Sequence, residues 1–118
     1  MDYPNIALRI VFLKASENGD LNTVQNIINA GFNVNEADVL SETALHKSSK
    51  NGHLNVVEYL LTKKANVNAE NMKKLTPLHY AALNDHKVLV DCLLKHGADI
   101  NSKTKGMFIT LCTEQTYI

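Results

Sequence analysis

Residues Leu75–Leu83 read LTPLHYAAL, and residues Glu42–Lys50 upstream read ETALHKSSK. In each, a histidine stands three residues after a threonine: His46 after Thr43, and His79 after Thr76. The two histidines are 33 residues apart, as are the two threonines. Paired histidines raise the question of a metal site or a catalytic base. A fixed offset raises a different one, that of a repeat.

At this offset three segments align without gaps: IVFLKASENGDLNTVQNIINAGFNVN from Ile10, TALHKSSKNGHLNVVEYLLTKKANVN from Thr43, and TPLHYAALNDHKVLVDCLLKHGADIN from Thr76. Val24, Ile27 and Ile28 recur as Val57, Leu60 and Leu61, then as Val90, Leu93 and Leu94. That is i, i+3, i+4 spacing, one buried face of a helix. A shorter helix is expected before each, with a small residue in one column (Ala15, Ser48, Ala81) that lets two helices approach closely. Gly19 and Gly52 fall where this first helix should stop in a left-handed residue, and repeat three has Asn84-Asp85 there. Gly31 and Gly97 hold the matching place after the second helix, where repeat two has Lys64. A left-handed lysine costs roughly 1 kcal/mol, so a strained or reshaped corner is expected at Lys64.

These residues resemble the ankyrin repeat, a unit of about 33 residues with a β-turn, two antiparallel helices and a T-P-L-H-x-A signature. TPLHYAA at 76–82 matches in full, while TALHKSS at 43–49 keeps Thr43, Leu45 and His46. IVFLKAS at 10–16 keeps only the pattern of bulk, as an N-terminal capping repeat would. The endings FNVN, ANVN and ADIN are also ankyrin-like. The likeness covers about residues 8–103. It implies an all-α solenoid of stacked antiparallel helix pairs joined by β-turn fingers. Repeat one falls at about 5–37, repeat two at about 38–70, repeat three at about 71–103, and a partial repeat or tail at 104–118. The tail fits poorly, since Glu114 and Gln115 stand where small residues belong.

The 118 residues suffice for one domain, with 45% apolar and 20% charged side chains and zero formal net charge. That balance offers no bulk attraction for nucleic acid, which is not expected as a partner. Met1–Thr43 carries two basic and six acidic side chains, whereas Ala44–Tyr80 carries six lysines against Glu58 and Glu70. Cys92 and Cys112 match neither a metal spacing nor a disulfide framework, so an intracellular compartment, cytoplasmic or nuclear, is expected. The start has Asp2 where a signal peptide has basic residues, and Arg9 interrupts its apolar run. No apolar run reaches the ~18 residues of a membrane span, and no membrane role is expected. Delivery into a host cell as an effector stays open.

Neither His46 nor His79 has a carboxylate or cysteine nearby at metal-ligand spacing. Stacked repeats would hold the two rings roughly 10 Å apart, whereas a shared ion needs both within about 2.1 Å. In ankyrin repeats this histidine hydrogen-bonds the threonine of its own motif and the backbone of the neighbouring turn. The resemblance thus makes Thr43, His46, Gly52, Thr76, Pro77 and His79 structural, and gives His53 and His86 packing and capping roles. No nucleophile–base–orienter set and no phosphate loop is present in the sequence. The chain is therefore expected not to be an enzyme, with no catalytic residue, metal or cofactor.

Ankyrin repeats bind proteins through their finger tips and the exposed face of the first helices, a concave surface. By column, the tips here are Val39, Leu40 and Glu42 before repeat two, Met72, Lys73 and Leu75 before repeat three, and Lys105 and Phe108 before the tail. The first-helix positions are Glu17 and Asn18, then Lys50 and Asn51, then Leu83 and Asn84. The implied function is a non-catalytic scaffold that binds another protein there. Val39, Leu40, Met72, Leu75 and Leu83 are apolar where a monomer need not bury them, and both an interface and lone surface hydrophobes remain open readings. Lysines 47, 50, 73 and 74 would attract an acidic partner or form a solvated face. The alternative is a structural or self-associating segment of a longer array. A tail that leaves part of the Val90–Leu94 face uncovered would drive an end-to-end homodimer through the poorly capped C-terminal end.

Overall fold

The computed structural model describes residues 3–99. Among these, six helices follow one another: α1 (Tyr3–Asn18), α2 (Leu21–Asn29), α3 (Ala44–Lys50), α4 (Leu54–Thr62), α5 (Pro77–Leu83) and α6 (Lys87–Lys95). Turns of two or three residues join α1 to α2, α3 to α4 and α5 to α6, so each pair is antiparallel. The odd helices stack on one another in one layer and the even helices in a second. The only bridge among the described residues links Ala37 to Thr43, at the base of the first finger.

Local chemistry starts α3 and α5. Thr43 Oγ1 accepts from the His46 N–H at 3.3 Å, and His46 Nδ1 accepts from the Thr43 N–H at 3.1 Å. Thr76 and His79 repeat this reciprocal cap at 3.4 and 2.8 Å. It is a capping box with imidazole in the role usually taken by Glu. Pro77 occupies the first helical position, where a missing N–H costs nothing. Repeat one has Ile10 in the threonine column. With no capping side chain there, α1 runs straight through that position and has 16 residues, against 7 in α3 and α5. The expected shorter first helix is therefore present in repeats two and three but not in repeat one.

The core follows the columns. Val24 and Ile27, Val57 and Leu60, and Val90 and Leu93 join Phe12, Leu45 and Leu78 in one buried cluster. Leu94 and Cys92 are half-buried at its edge, and burial pushes the Cys92 thiol up, away from the reactive thiolate. The close-approach column, Ala15, Ser48 and Ala81, is buried. Ser48 fits because its hydroxyl donates to the Ala44 carbonyl at 2.9 Å. Lys64 is left-handed, with φ 69°, as Gly31 and Gly97 are. Its N–H still closes the helix on the Leu61 carbonyl at 3.1 Å, as Gly97 does on Leu94. The corner keeps its shape and carries the strain.

Histidines bind one repeat to the next. His46 Nδ1 accepts from a backbone N–H, so Nε2 carries the proton and donates to the Leu75 carbonyl at 2.8 Å. Burial first of all holds the His46 pKa below its ordinary value, in keeping with a neutral ring. His53 and His86 occupy the N-cap positions of α4 and α6 but make no capping hydrogen bond. The capping role implied for them is replaced by a longer reach. His53 Nε2 donates back to the Glu17 carbonyl at 2.9 Å, and His86 Nε2 to that of Lys50 at 3.3 Å. Each ring lies against the turn glycine of the repeat before it, Gly19 or Gly52.

Candidate protein-binding face

Two fingers project beside the first helices. In the finger before α3, Asp38 Oδ1 accepts from the N–H groups of Leu40 and Glu42 at 2.9 and 3.0 Å. In the finger before α5, Asn71 Oδ1 accepts from those of Lys73 and Leu75 at 2.8 and 3.0 Å. Asp38 and Asn71 share a column, so the two turns are built alike. Ser41 and Lys74 complete them in the left-handed region, at φ 63° and 64°. The Met72 N–H donates to the Leu40 carbonyl at 2.9 Å and ties one finger to the next. With the backbone so held, the tips point outward: Val39 is 85% exposed, Leu40 55% and Met72 68%.

Glu42 departs from the tip reading. It is 6% exposed. One carboxylate oxygen accepts from Lys47 Nζ at 3.1 Å, and the other accepts from Asn71 Nδ2 at 3.0 Å and from the Tyr80 hydroxyl. Glu42 is thus a connector between repeats two and three, its carboxylate committed to contacts inside the fold. Burial raises its pKa, but the bonds from Tyr80, Lys47 and Asn71 outweigh that and leave it below the ordinary carboxylate value. Burial, with Glu42 second, pushes the Tyr80 hydroxyl up to about 12. Lys47 also contacts Asp38 at 3.0 Å and is raised by its two acids, which override its desolvation. Its charge is satisfied inside the fold and is not on offer to an acidic partner.

The other expected site residues divide. Lys50, Lys73 and Leu83 are exposed. Leu75 is half-buried, and its carbonyl receives His46. Asn51 and Asn84 are exposed at their edges, but their amides donate back to the carbonyls of Glu17 (3.2 Å) and Lys50 (2.8 Å). They stitch repeats as the neighbouring histidines do. Leu40, Lys50, Met72 and Lys73 come together around a groove of about 300 Å³ whose floor is Glu42, Lys47, Asn71 and Tyr80. Lys105 and Phe108, and the tail on which the end-to-end homodimer rests, lie outside the described residues. Tyr80, Asn71 and Asp38 are absent from the residues that sequence reasoning selects. Tyr80 fills the variable position of the T-P-L-H-x-A motif, the column of Lys14 and Lys47, and that column is the available signal.

A family model for ankyrin repeats in three copies matches residues 12–104. The chain belongs to the ankyrin-repeat family. No curated protein matches it. Ankyrin repeats are in general modules of protein–protein interaction and not catalysts. In this ankyrin array the surface between repeats one and two is polar, and its Lys14 and Glu17 approach each other at 3.7 Å. The groove between repeats two and three is where apolar and basic groups meet. Among the described residues no helix is long and apolar enough to cross a membrane.

Proposed function

We propose that the protein is a non-catalytic scaffold that binds a partner protein on the concave face formed by the fingers at 38–42 and 71–75 with α3 and α5. One observation carries this reading. Leu40 and Met72 stand exposed on hydrogen-bonded fingers, above a floor already committed to its own contacts. Apolar groups held rigidly in solvent favour association, because little conformational entropy is lost when they are covered. An intracellular site of action belongs to the same proposal. The test is affinity capture with wild type and with a Leu40→Asp, Met72→Asp double variant. Both side chains are exposed, so the variant should fold. Partners bound by wild type and lost by the variant are expected; survival of every partner overturns the assignment.

A second reading, self-association or membership of a longer array, has α1 behind it. Ile10 and Val11 stand in the columns of Thr43 and Ala44 and of Thr76 and Pro77. Those columns are buried in repeats two and three, yet Ile10 is 63% and Val11 48% exposed. Another repeat or a second copy stacked on α1 would cover them, since each unit of a solenoid buries its neighbour's face. On this reading the self-associating end is repeat one, supported by the exposure of Ile10 and Val11. Sedimentation over a concentration series separates the readings: a monomer at every concentration, unaffected by Ile10→Glu, disposes of self-association.

A further inference from the structure

We infer that the groove between repeats two and three takes an acidic, apolar segment of a protein: an apolar side chain set between Leu40 and Met72, with carboxylates over Lys50 and Lys73. The inference rests on the interaction role proposed above and names the chemistry of its partner.

Charge decides the polar part. Three lysines and one carboxylate line the groove. The carboxylate, Glu42, is consumed by Lys47, Asn71 and Tyr80, and Lys47 is consumed by Glu42 and Asp38. Lys50 and Lys73 make no ion pair among the described residues. Lys50 Nζ lies 5.4 Å over the Tyr80 ring, a contact that holds the ammonium at the groove without neutralising it. Two unneutralised cations at the rim favour carboxylates and disfavour a basic partner.

Leu40 and Met72 decide the rest. A purely ionic ligand gains nothing from two exposed apolar side chains at the same spot, whereas a segment with mixed character uses both. Met72 also adapts its shape readily to an apolar neighbour. The groove, at about 300 Å³, is at the small end of binding sites. It suits one or two side chains from a chain segment. The surface beside it, around Lys14 and Glu17, pairs its own charges, so selectivity is concentrated between repeats two and three.

The experiment selects short phage-displayed random peptides on the full chain. Binding of the selected peptides is then measured by fluorescence polarisation at low and high salt. Wild type is compared with Lys50→Glu, Lys73→Glu and with Leu40→Asp, Met72→Asp, all checked by thermal melting. The expected result is enrichment of Asp or Glu beside Leu, Ile or Phe. Affinity should fall at least about tenfold in each double variant and weaken with salt. Binding lost in the apolar variant but kept in the charge-reversed one overturns the acidic partner and leaves the interaction face standing. Binding indifferent to both variants overturns the face as well. Enrichment of basic peptides, or no enrichment, overturns the inference. So does a single-stranded oligonucleotide that displaces the peptides and binds wild type and the apolar variant equally.

Discussion

Replacing Gly19 by alanine tests whether the histidine of one repeat locks against the turn of the repeat before. Gly19 has φ +77°, a conformation that costs a residue with a side chain roughly 1–2 kcal/mol. A Cβ there would also lie 2.6 Å from His53 Nδ1, 2.8 Å from Cε1 and 2.9 Å from Cγ. Because Cγ is the root of the ring, a small tilt of its tip does not relieve the overlap. The ring must change rotamer and release the Glu17 carbonyl, losing about 0.5–1.5 kcal/mol. The total is about 1.5–3.5 kcal/mol. Gly31 supplies the control: φ is +99°, and a Cβ there would meet nothing within 4 Å. Gly31→Ala should therefore carry only the conformational part, about 1–2 kcal/mol. Thermal and urea unfolding followed by circular dichroism resolve the two variants, which should differ by about 4–8 °C in Tm. In a His53→Ala background, Gly19→Ala should fall to the Gly31→Ala value, a coupling of about 1 kcal/mol. An equal cost with and without the His53 ring would refute the clash.

Lys64→Gly should stabilise the fold by about 1 kcal/mol, because it removes left-handed strain while keeping the closing hydrogen bonds; an unchanged urea midpoint would contradict this. His46→Ala should cost about 2–3 kcal/mol, since the Thr43 N–H and the Leu75 carbonyl both lose a buried partner, and a loss under about 1 kcal/mol in urea titration would speak against that role. Stability should depend on pH in three windows. The neutral His46 ring, its pKa depressed by burial, contributes above the unfolded value of 6.5 and loses that contribution as pH falls through its folded pKa. The lowered pKa values of Asp38 and Glu42 make their contribution complete above the ordinary values of 3.8 and 4.5 and remove it in stronger acid. Tyr80, raised from 10.0 to about 12, loses its contribution as pH rises through that interval. Melting temperatures across pH for wild type and Tyr80→Phe check the last window, which should vanish in the variant.

Much of the fold is readable in the sequence because repeat burial is periodic along the chain. The Val24, Val57 and Val90 column and its partners three and four residues on mark one helix face, and that face is the core. Thr43 with His46 and Thr76 with His79 announce helix starts, because a cap joins residues three apart. Ile10 in the same column carries the opposite message, a helix that does not start there, and the pattern of bulk alone does not convey it. Glu42 shows why the binding face is harder. By column it is a finger position like Leu75. It is buried because Asn71 and Tyr80, 29 and 38 residues further on, converge on its carboxylate. In the sequence Lys47 looks as available as Lys50, and only the approach of Asp38 and Glu42 separates them.

Helix spacing, caps and left-handed corners are set by residues within four positions of one another, so the chain alone determined the repeat, the short capped helices of repeats two and three, and Lys64 as the corner to be strained or reshaped. Which polar groups remain for a partner is set by neighbours that the fold brings together, most of them one repeat away. Stacking consumes Glu42, Asn51 and Asn84, Asp38 and Glu42 of its own repeat consume Lys47, and Leu40, Met72, Lys50 and Lys73 are left around one groove. That selection is tertiary, because a charge or an amide is available only when no other part of the fold has already satisfied it.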